Sequence, residues 1–260
     1  MSLLNHLLFP PKCAACGTLL DFTKLEEQIA LCEDCAMLFA TEARDRCGRC
    51  FQEVSACTCM TELLEDVGCK GLCKIVFYRH GKNSAIQNKI LFCIKNKRDA
   101  RTVRFLSAEL AKIVRMHVFA GAVSLENAIV TYIPRRRGAV LEKGTDQARE
   151  LAKGVSRELE LPFAVCLSRR HGNQKEQKTL SPKERMKNAR SAFSVSNAKK
   201  VCGKTVLLVD DIVTTGASMA AGAQKLLRAG AETVFCVSVS SDDTNQTPNA
   251  PLLKKIGSAH

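Results

Sequence analysis

The sequence predicts an α/β domain with a mostly parallel sheet, preceded by a small cysteine-rich module. Two observations predict this fold class. Residues 75–240 alternate short apolar runs with amphipathic segments, which is typical of strand–helix–strand units. Ten of the fourteen cysteines lie within residues 13–73, a segment too small to hold a core without a staple. We therefore expect a cysteine-rich module over residues 1–75, an α/β domain over 76–240 and a C-terminal tail over 241–260.

The first cysteine set consists of two C-x-x-C pairs separated by fifteen residues. Its members are Cys13, Cys16, Cys32 and Cys35. Each pair directs two sulfurs to one point, and two pairs complete a tetrahedral site for structural zinc. Four thiolates leave no open coordination position, so we do not expect a catalytic zinc. The alternative is a redox or core role for these side chains.

A second, less regular set ends in a C-x-C pair and predicts a second zinc site. Its members are Cys47, Cys50, Cys57 and Cys59. Cys69 and Cys73, one helical turn apart, are either substitute ligands or buried residues.

The clustering of the cysteines within residues 13–73 is typical of metal ligation in a reducing compartment rather than of a disulfide framework. We therefore expect a cytoplasmic protein, and the absence of an apolar run of about 18 residues predicts no membrane span.

The α/β part begins after the cysteines. Apolar runs predict strands over residues 75–78, 128–133, 206–209 and 233–239. Helical periodicity predicts helices over residues 83–95, 100–118, 147–159 and 218–229. Gly230 then lies where a left-handed residue is expected to end a helix.

Residues 206–218 are the most informative stretch. Four apolar residues predict a buried strand, Asp210 and Asp211 follow it, and a loop with hydroxyl groups and a glycine leads into a helix. Ligands of parallel sheets bind beyond the carboxyl ends of the strands, and a helix N-terminus offers free N–H groups to an anion. Ionised carboxylates accept hydrogen bonds from vicinal hydroxyls. The stretch predicts a site for a diol and a phosphate; the alternative is a metal site on the paired aspartates.

This stretch resembles the 5-phosphoribosyl-1-pyrophosphate (PRPP) signature of type I phosphoribosyltransferases. With its cysteine-rich N-terminal part and basic middle, the chain is similar to the ComF family of competence-associated proteins up to about residue 240. The resemblance implies a type I phosphoribosyltransferase-like domain in which Asp210 and Asp211 hold the ribose hydroxyls and orient the ribose for catalysis. It also implies a loop around the 5-phosphate, formed by Thr214, Thr215, Gly216, Ala217 and Ser218.

Two further segments match the family. Residues 132–138 resemble the loop that receives pyrophosphate, where Arg135, Arg136 and Arg137 can offer forked donors to phosphate oxygens. Generic surface charge is the alternative for these arginines. Residues 143–147 take the place of the family's Arg-Gly-Phe-Asn-Gln element, but Thr145 and Asp146 replace the Phe-Asn pair. The replacement adds a carboxylate near the anion site.

The chain is strongly basic, with a formal net charge of +13. Residues 168–190 alone carry eight basic and two acidic side chains, and residues 169–193 resemble the family's basic flexible segment. Such a segment either closes over the substrate and excludes water or remains a solvated basic surface. Fields of this sign attract polyanions, whether nucleic acid or a polyphosphorylated small molecule.

Two functions agree with these features. One is phosphoribosyl transfer from PRPP, with Mg²⁺ bridging pyrophosphate oxygens and ribose hydroxyls. The other is a catalytically silent cytosolic factor that binds single-stranded DNA and keeps the PRPP pocket as a sensor or anchor. The resemblance implies a part in natural competence and DNA uptake, with a competence helicase as a partner. An aromatic content of 5% without tryptophan weighs against stacking of single strands on the protein.

Overall fold

The computed structural model describes residues 10–20, 30–82, 84–96, 99–135, 138, 144–169 and 192–242. The helices are α1 (Glu33–Glu42), α2 (Glu62–Val67), α3 (Ile86–Asn96), α4 (Ala100–Phe119), α5 (Gln147–Glu158) and α6 (Ala217–Arg228). The strands are β1 (Gly71–Phe77), β2 (Ala128–Tyr132), β3 (Leu167–Arg169), β4 (Phe193–Val195), β5 (Thr205–Val213) and β6 (Thr233–Ser241).

A four-stranded sheet in the order β1-β6-β5-β2 forms the centre of the fold. Each of its pairs is parallel. Leu207 and Val209 belong to an apolar cluster with α3, α4 and α5, whereas Val206 and Leu208 belong to a cluster with α2 and α6. Burial on both faces explains the continuous apolar run in β5. The predicted α/β class with a mostly parallel sheet is confirmed.

The strand that carries the two aspartates is longer than predicted. The apolar run ends at Val209, which is also where pairing with β2 ends. On the other side β6 continues beside β5, pairing Asp210 with Ser238 and Val213 with Ser241. The prediction that the aspartates follow the strand is therefore wrong, because β6 supplies backbone partners that an apolar pattern does not reveal. The aspartates extend past β2 while remaining anchored to β6.

Strand β1 also begins earlier than predicted, at Gly71 instead of residue 75, and pairs with β6 along its length. Lys74 in its middle interrupts the apolar pattern, although every residue of the strand is buried. The proposed division at residues 75 and 76 stays a prediction, and it falls inside this strand. The four predicted helices agree with their ranges to within three residues, whereas α1 and α2 had no predicted range. Gly230 has the expected left-handed conformation, with φ of 92°.

The cysteine-rich segment shares its apolar contacts with the α/β domain. Cys13, Cys35 and Phe39 lie in the cluster that covers the α4 face of the sheet. Cys47 and Cys57 form a smaller cluster with Phe77, the last residue of β1. The two cysteine sets are therefore attached to the sheet, one on a face and one at the β1 edge.

Strands β3 and β4 form an antiparallel hairpin. Residues 170–191, which make up most of the segment expected to close over a substrate, connect them and lie outside the described residues. Among the helices of the described part, none is long and apolar enough to cross a membrane.

Candidate functional site

The two aspartates are held by short local hydrogen bonds on the part of β5 that extends past β2. Asp210 Oδ1 accepts a hydrogen bond from the backbone N–H of Asp211 at 2.8 Å, and Asp211 Oδ1 accepts one from the N–H of Ile212 at 2.9 Å. Asp211 is buried and Asp210 is half-buried. Each carboxylate thus has one oxygen held by the backbone N–H of the next residue, which orients the other oxygen.

Two cations lie against the outer oxygen of Asp211. Arg135 Nη2 is 2.6 Å from Asp211 Oδ2 and Lys95 Nζ is 3.7 Å from the same atom. Arg135 stands three residues beyond the end of β2, and Lys95 lies near the end of α3. The structure therefore places the predicted phosphate-binding Arg135 beside the predicted ribose-binding pair. Arg136, Arg137 and Lys143 lie outside the described residues.

Asp146, the carboxylate that departs from the family element, has a structural role. One oxygen accepts a hydrogen bond from the backbone N–H of Arg135 at 3.0 Å, and the other caps α5 by accepting from the N–H of Arg149 at 3.5 Å. Burial raises the pKa of Asp146, while these backbone donors oppose the increase. Asp146 thus joins the start of α5 to the arginine loop and positions Arg135. The α5 cap is a recognisable sequence signal, but the bond to Arg135 is not.

The carboxyl group of Asp210 has an unusually high proton affinity. Burial, followed by the negative charge of Asp211, raises the pKa of Asp210 well above its usual range. Two neighbouring carboxylates in a partly dry site disfavour double ionisation. A ligand hydroxyl or a cation that approaches Asp210 would favour its ionised form. The site is thus suited to a ligand that brings hydrogen-bond donors or positive charge to it.

The predicted phosphate loop lies three residues after Asp211 and leads into α6. Gly216 is the N-cap residue of α6 and has a φ of 75°, a left-handed conformation that favours glycine. The Thr215 hydroxyl accepts a hydrogen bond from the N–H of Ala217 at 3.4 Å. Thr214 and Thr215 are exposed, whereas Ala217 and Ser218 are half-buried. This arrangement presents hydroxyls and the free N–H groups of a twelve-residue helix to an anion.

A second reason for glycine at position 216 is steric. A Cβ atom there would stand 2.3 Å from Thr61 Oγ1, at the start of α2. Thr61 Oγ1 is buried and has no hydrogen-bond partner among the described residues. The phosphate loop therefore packs at Gly216 against Thr61, in the segment that follows the second cysteine set.

The first cysteine set converges on one point. The sulfurs of Cys13, Cys16, Cys32 and Cys35 lie within 4.8 Å of one another. Cys16 Sγ and Cys32 Sγ are 3.6 Å apart, close to the tetrahedral edge of about 3.8 Å that follows from a Zn–S bond of about 2.3 Å. A hydrogen bond with Thr18 lowers the pKa of Cys16 to about 6. The set could hold a zinc ion.

The second set converges equally well, with the sulfurs of Cys47, Cys50, Cys57 and Cys59 within 4.8 Å of one another. Cys69 and Cys73 belong to neither cluster. Burial raises the pKa of the Cys73 thiol to about 12, and Cys69 is hydrogen-bonded to the buried Cys236. Of the two alternatives for this pair, the described contacts favour the buried one.

Sequence reasoning missed two residues of the site. In the sequence Lys95 is one charge in a basic run, and Asp146 stands out only as a departure from the family element. Lys95 acts on Asp211, which is distant in sequence, and carries no local signal for this role. For Asp146 only the cap of α5 is locally recognisable, whereas its bond to Arg135 is not. The basic run of residues 95–104 was the available indication for Lys95.

Known proteins are similar to part of this chain. Residues 145–251 match the family described as phosphoribosyl transferase domain. Competence protein F from Haemophilus influenzae is 32% identical over 93 residues, which cover 35% of this chain and 41% of that protein. The chain thus spans less than half of this relative.

Solved structures of phosphoribosyl-binding enzymes are similar at low identity. Glutamine phosphoribosylpyrophosphate amidotransferase from B. subtilis, complexed with ADP and GMP, is 19% identical with a TM-score of 0.37, covering 68% of this chain and 30% of the enzyme. Adenine phosphoribosyltransferase from Leishmania tarentolae is 17% identical with a TM-score of 0.34, covering 57% of this chain and 74% of the enzyme.

Proposed function

We propose that this chain, a type I phosphoribosyltransferase-like protein of the ComF family, binds PRPP with Mg²⁺ and transfers its phosphoribosyl group. The observation that carries the proposal is the continuity of β5 with α6. The Asp210–Asp211 pair and the left-handed Gly216 cap lie within seven residues of one chain segment. A diol-binding group and an anion-binding group at this spacing suit a ribose 5-phosphate.

In this proposal the aspartates accept hydrogen bonds from the two ribose hydroxyls, since ionised carboxylates are pure acceptors. The hydroxyls and N–H groups at the start of α6 hold the 5-phosphate. Oxygen-rich groups of this kind also suit Mg²⁺, which takes oxygen ligands and keeps several waters. When bound, Mg²⁺ supplies charge neutralisation on the pyrophosphate.

In this proposal Arg135 and Lys95 supply positive charge to the leaving group. During transfer, the bond from the anomeric carbon to the pyrophosphate oxygen breaks and its electron pair leaves with pyrophosphate, while the acceptor forms a bond to that carbon. In the unliganded protein both cations face Asp211. Their movement to the pyrophosphate would free Asp211 for the ribose and stabilise the developing charge.

Calorimetry tests this function directly. The protein is titrated with PRPP, ribose 5-phosphate and pyrophosphate, each with and without Mg²⁺. We expect PRPP with Mg²⁺ to bind more tightly than either half of the molecule, because both groups of the site are then engaged. Absence of PRPP binding to folded protein would refute the proposal.

The affinity for PRPP is expected to rise with pH until the raised pKa of Asp210 is passed. Because burial and the charge of Asp211 raise this pKa, the unliganded protein retains a proton on Asp210 at lower pH. Binding favours the ionised carboxylate and must release that proton, which opposes binding below the pKa. Calorimetry in buffers of different ionisation enthalpy counts the protons released.

The Asp210→Asn variant is the control for this measurement. Titration of the PRPP phosphates is common to both proteins, so the difference reports Asp210 alone. Equal proton release from wild type and variant would show that Asp210 does not change its protonation state on binding.

We further propose that both cysteine clusters hold structural zinc. Each offers four sulfurs and thus a closed coordination sphere. Such an ion would contribute folding free energy to a segment with few apolar residues of its own.

A second candidate function is binding of single-stranded DNA in a competence pathway, with a competence helicase as a partner in the cytoplasm. The net charge of +13 supports it. So do Phe51 and Phe119, whose side chains are 69% and 95% exposed and could stack on bases. This exposure was not evident from the low aromatic content.

Fluorescence anisotropy with a labelled oligonucleotide tests this second function. Binding of a single strand through about 6–10 phosphates is expected to weaken by roughly 10^2.5- to 10^4-fold between about 50 and 200 mM salt. An affinity that does not change over this range would contradict polyanion binding. PRPP added as a competitor shows whether the oligonucleotide occupies the pocket.

A further inference from the structure

Lys74 is a buried charge that the proposed transfer reaction does not use. It lies in the middle of the edge strand β1 and is only 2% exposed. A buried ammonium group is strongly unfavourable unless it is hydrogen-bonded and paired with negative charge. Its surroundings must therefore explain why a lysine stands at this position.

The ammonium of Lys74 is directed at the second cysteine cluster. It donates to the backbone oxygen of Cys59 at 2.7 Å and lies 3.4 Å from Cys57 Sγ. The oxygens of Leu72 and Cys57 are 3.4 and 3.5 Å away. These carbonyls satisfy its N–H groups but carry no formal charge. The ion pairs formed within the described part of the chain do not include one between Lys74 and a carboxylate.

The missing negative charge can come from the cysteines themselves. Four thiolates around a divalent metal ion leave a net charge of −2 on the cluster. An adjacent ammonium would offset half of this charge and would donate a charge-assisted hydrogen bond to one ligand sulfur. In the first cluster the contact differs, since Cys16 Sγ is hydrogen-bonded to the neutral hydroxyl of Thr18 at 3.2 Å.

We propose that Lys74 is the counter-cation of a tetrathiolate metal site formed by Cys47, Cys50, Cys57 and Cys59. It binds no metal itself but positions two ligands through the backbone oxygens of Cys57 and Cys59 and lies within hydrogen-bonding distance of the Cys57 sulfur. This role rests on the proposed zinc loading and is independent of PRPP chemistry. It also explains how the second cluster is attached to the edge strand of the sheet.

Competition with a zinc chelator on the full chain tests this role. Wild type is expected to hold two zinc ions. Lys74→Met retains the length and apolar stem of the side chain but removes the charge. We therefore expect the affinity for one of the two zinc ions, measured by competition with the chelator, to fall by roughly 10- to 100-fold. The other ion, in the first cluster, is the internal reference.

Two further variants separate charge from packing. Lys74→Arg retains the positive charge and is expected to keep both ions near wild-type affinity. Lys70→Met removes an exposed lysine next to β1 and should leave both unchanged. If Lys74→Met does not fold, Lys74→Gln provides the same comparison.

A readout in the metal-free state distinguishes a counter-cation from a merely structural lysine. After chelation of wild type and Lys74→Met, the variant should be no less stable in thermal unfolding, since replacing a buried charge with an apolar group is often neutral or favourable. Unchanged zinc affinity in Lys74→Met would overturn the proposal, as would equal loss in Lys74→Met and Lys74→Arg. A wild type that binds only one zinc ion would also overturn it. PRPP titration of the same sample tests the proposed PRPP-binding function separately.

Discussion

The double replacement of Asp210 and Asp211 by asparagine is expected to weaken PRPP binding by on the order of 10²- to 10⁴-fold. Each charge-assisted hydrogen bond is worth about 1.5–3 kcal/mol, and the variant loses two of them in the proposed site. Asparagine keeps the shape of each side chain, so the loss reports charge rather than packing. Calorimetry with PRPP and Mg²⁺ measures it.

The same double variant should bind inorganic pyrophosphate at least as well as wild type. Arg135 and Lys95 face Asp211 in the unliganded protein, and removal of this carboxylate frees both cations for an anion. The expected signature is therefore loss of discrimination between PRPP and pyrophosphate, not loss of all binding. A structural collapse would reduce both.

The matched control is Asp66→Asn, at an exposed aspartate on α2. It changes the net charge in the same direction but should leave both affinities unchanged. A folded double variant with PRPP affinity within about threefold of wild type would show that the aspartates do not hold the ribose.

Replacement of Gly216 by alanine is expected to weaken PRPP binding by roughly 10- to 100-fold and to lower the melting temperature. The left-handed conformation at φ of 75° is unfavourable for alanine by about 1–2 kcal/mol. In addition, the new Cβ would stand 2.3 Å from Thr61 Oγ1, so either α2 or the phosphate loop must move. Displacement of the loop misplaces the N–H groups that hold the phosphate.

A double-mutant cycle separates these two causes. Thr61→Ala alone should be nearly silent, because the threonine caps α2 without a side-chain hydrogen bond and its hydroxyl has no described partner. In Gly216→Ala with Thr61→Ala the close contact is removed and the backbone strain remains. We expect partial recovery of both affinity and melting temperature. If the effects of the two single replacements add to within about 0.5 kcal/mol, the contact with Thr61 is not the cause of the losses in Gly216→Ala.

Local spacing in the sequence was sufficient for much of the site. The C-x-x-C pairs predicted two sulfur clusters, and both converge in the structure. The Asp-Asp pair and its glycine loop predicted a diol site followed by an anion site, and Gly216 does cap a helix. These predictions involve groups a few residues apart, where backbone geometry alone decides which atoms can meet.

The extent of the strands was predicted less well. Lys74 and Gly71 interrupt the apolar pattern of β1, and Asp210 and Asp211 interrupt that of β5. Both strands nevertheless continue, because pairing with β6 satisfies their backbone groups. Hydrophobic periodicity reports which side chains are buried, whereas strand length depends on the neighbouring strand.

The sequence by itself thus determined the fold class, the two thiol clusters and the order of groups from Asp210 to Ser218. Tertiary structure alone decided that Arg135, 76 positions away in sequence, pairs with Asp211, that Asp146 holds the arginine loop, and that Lys74 faces Cys57. The physical reason is that short-range spacing sets local convergence, whereas distant partners meet only through the strand order β1-β6-β5-β2. Short-range spacing accounts for the motif of the aspartate pair, and the strand order accounts for the charges around it.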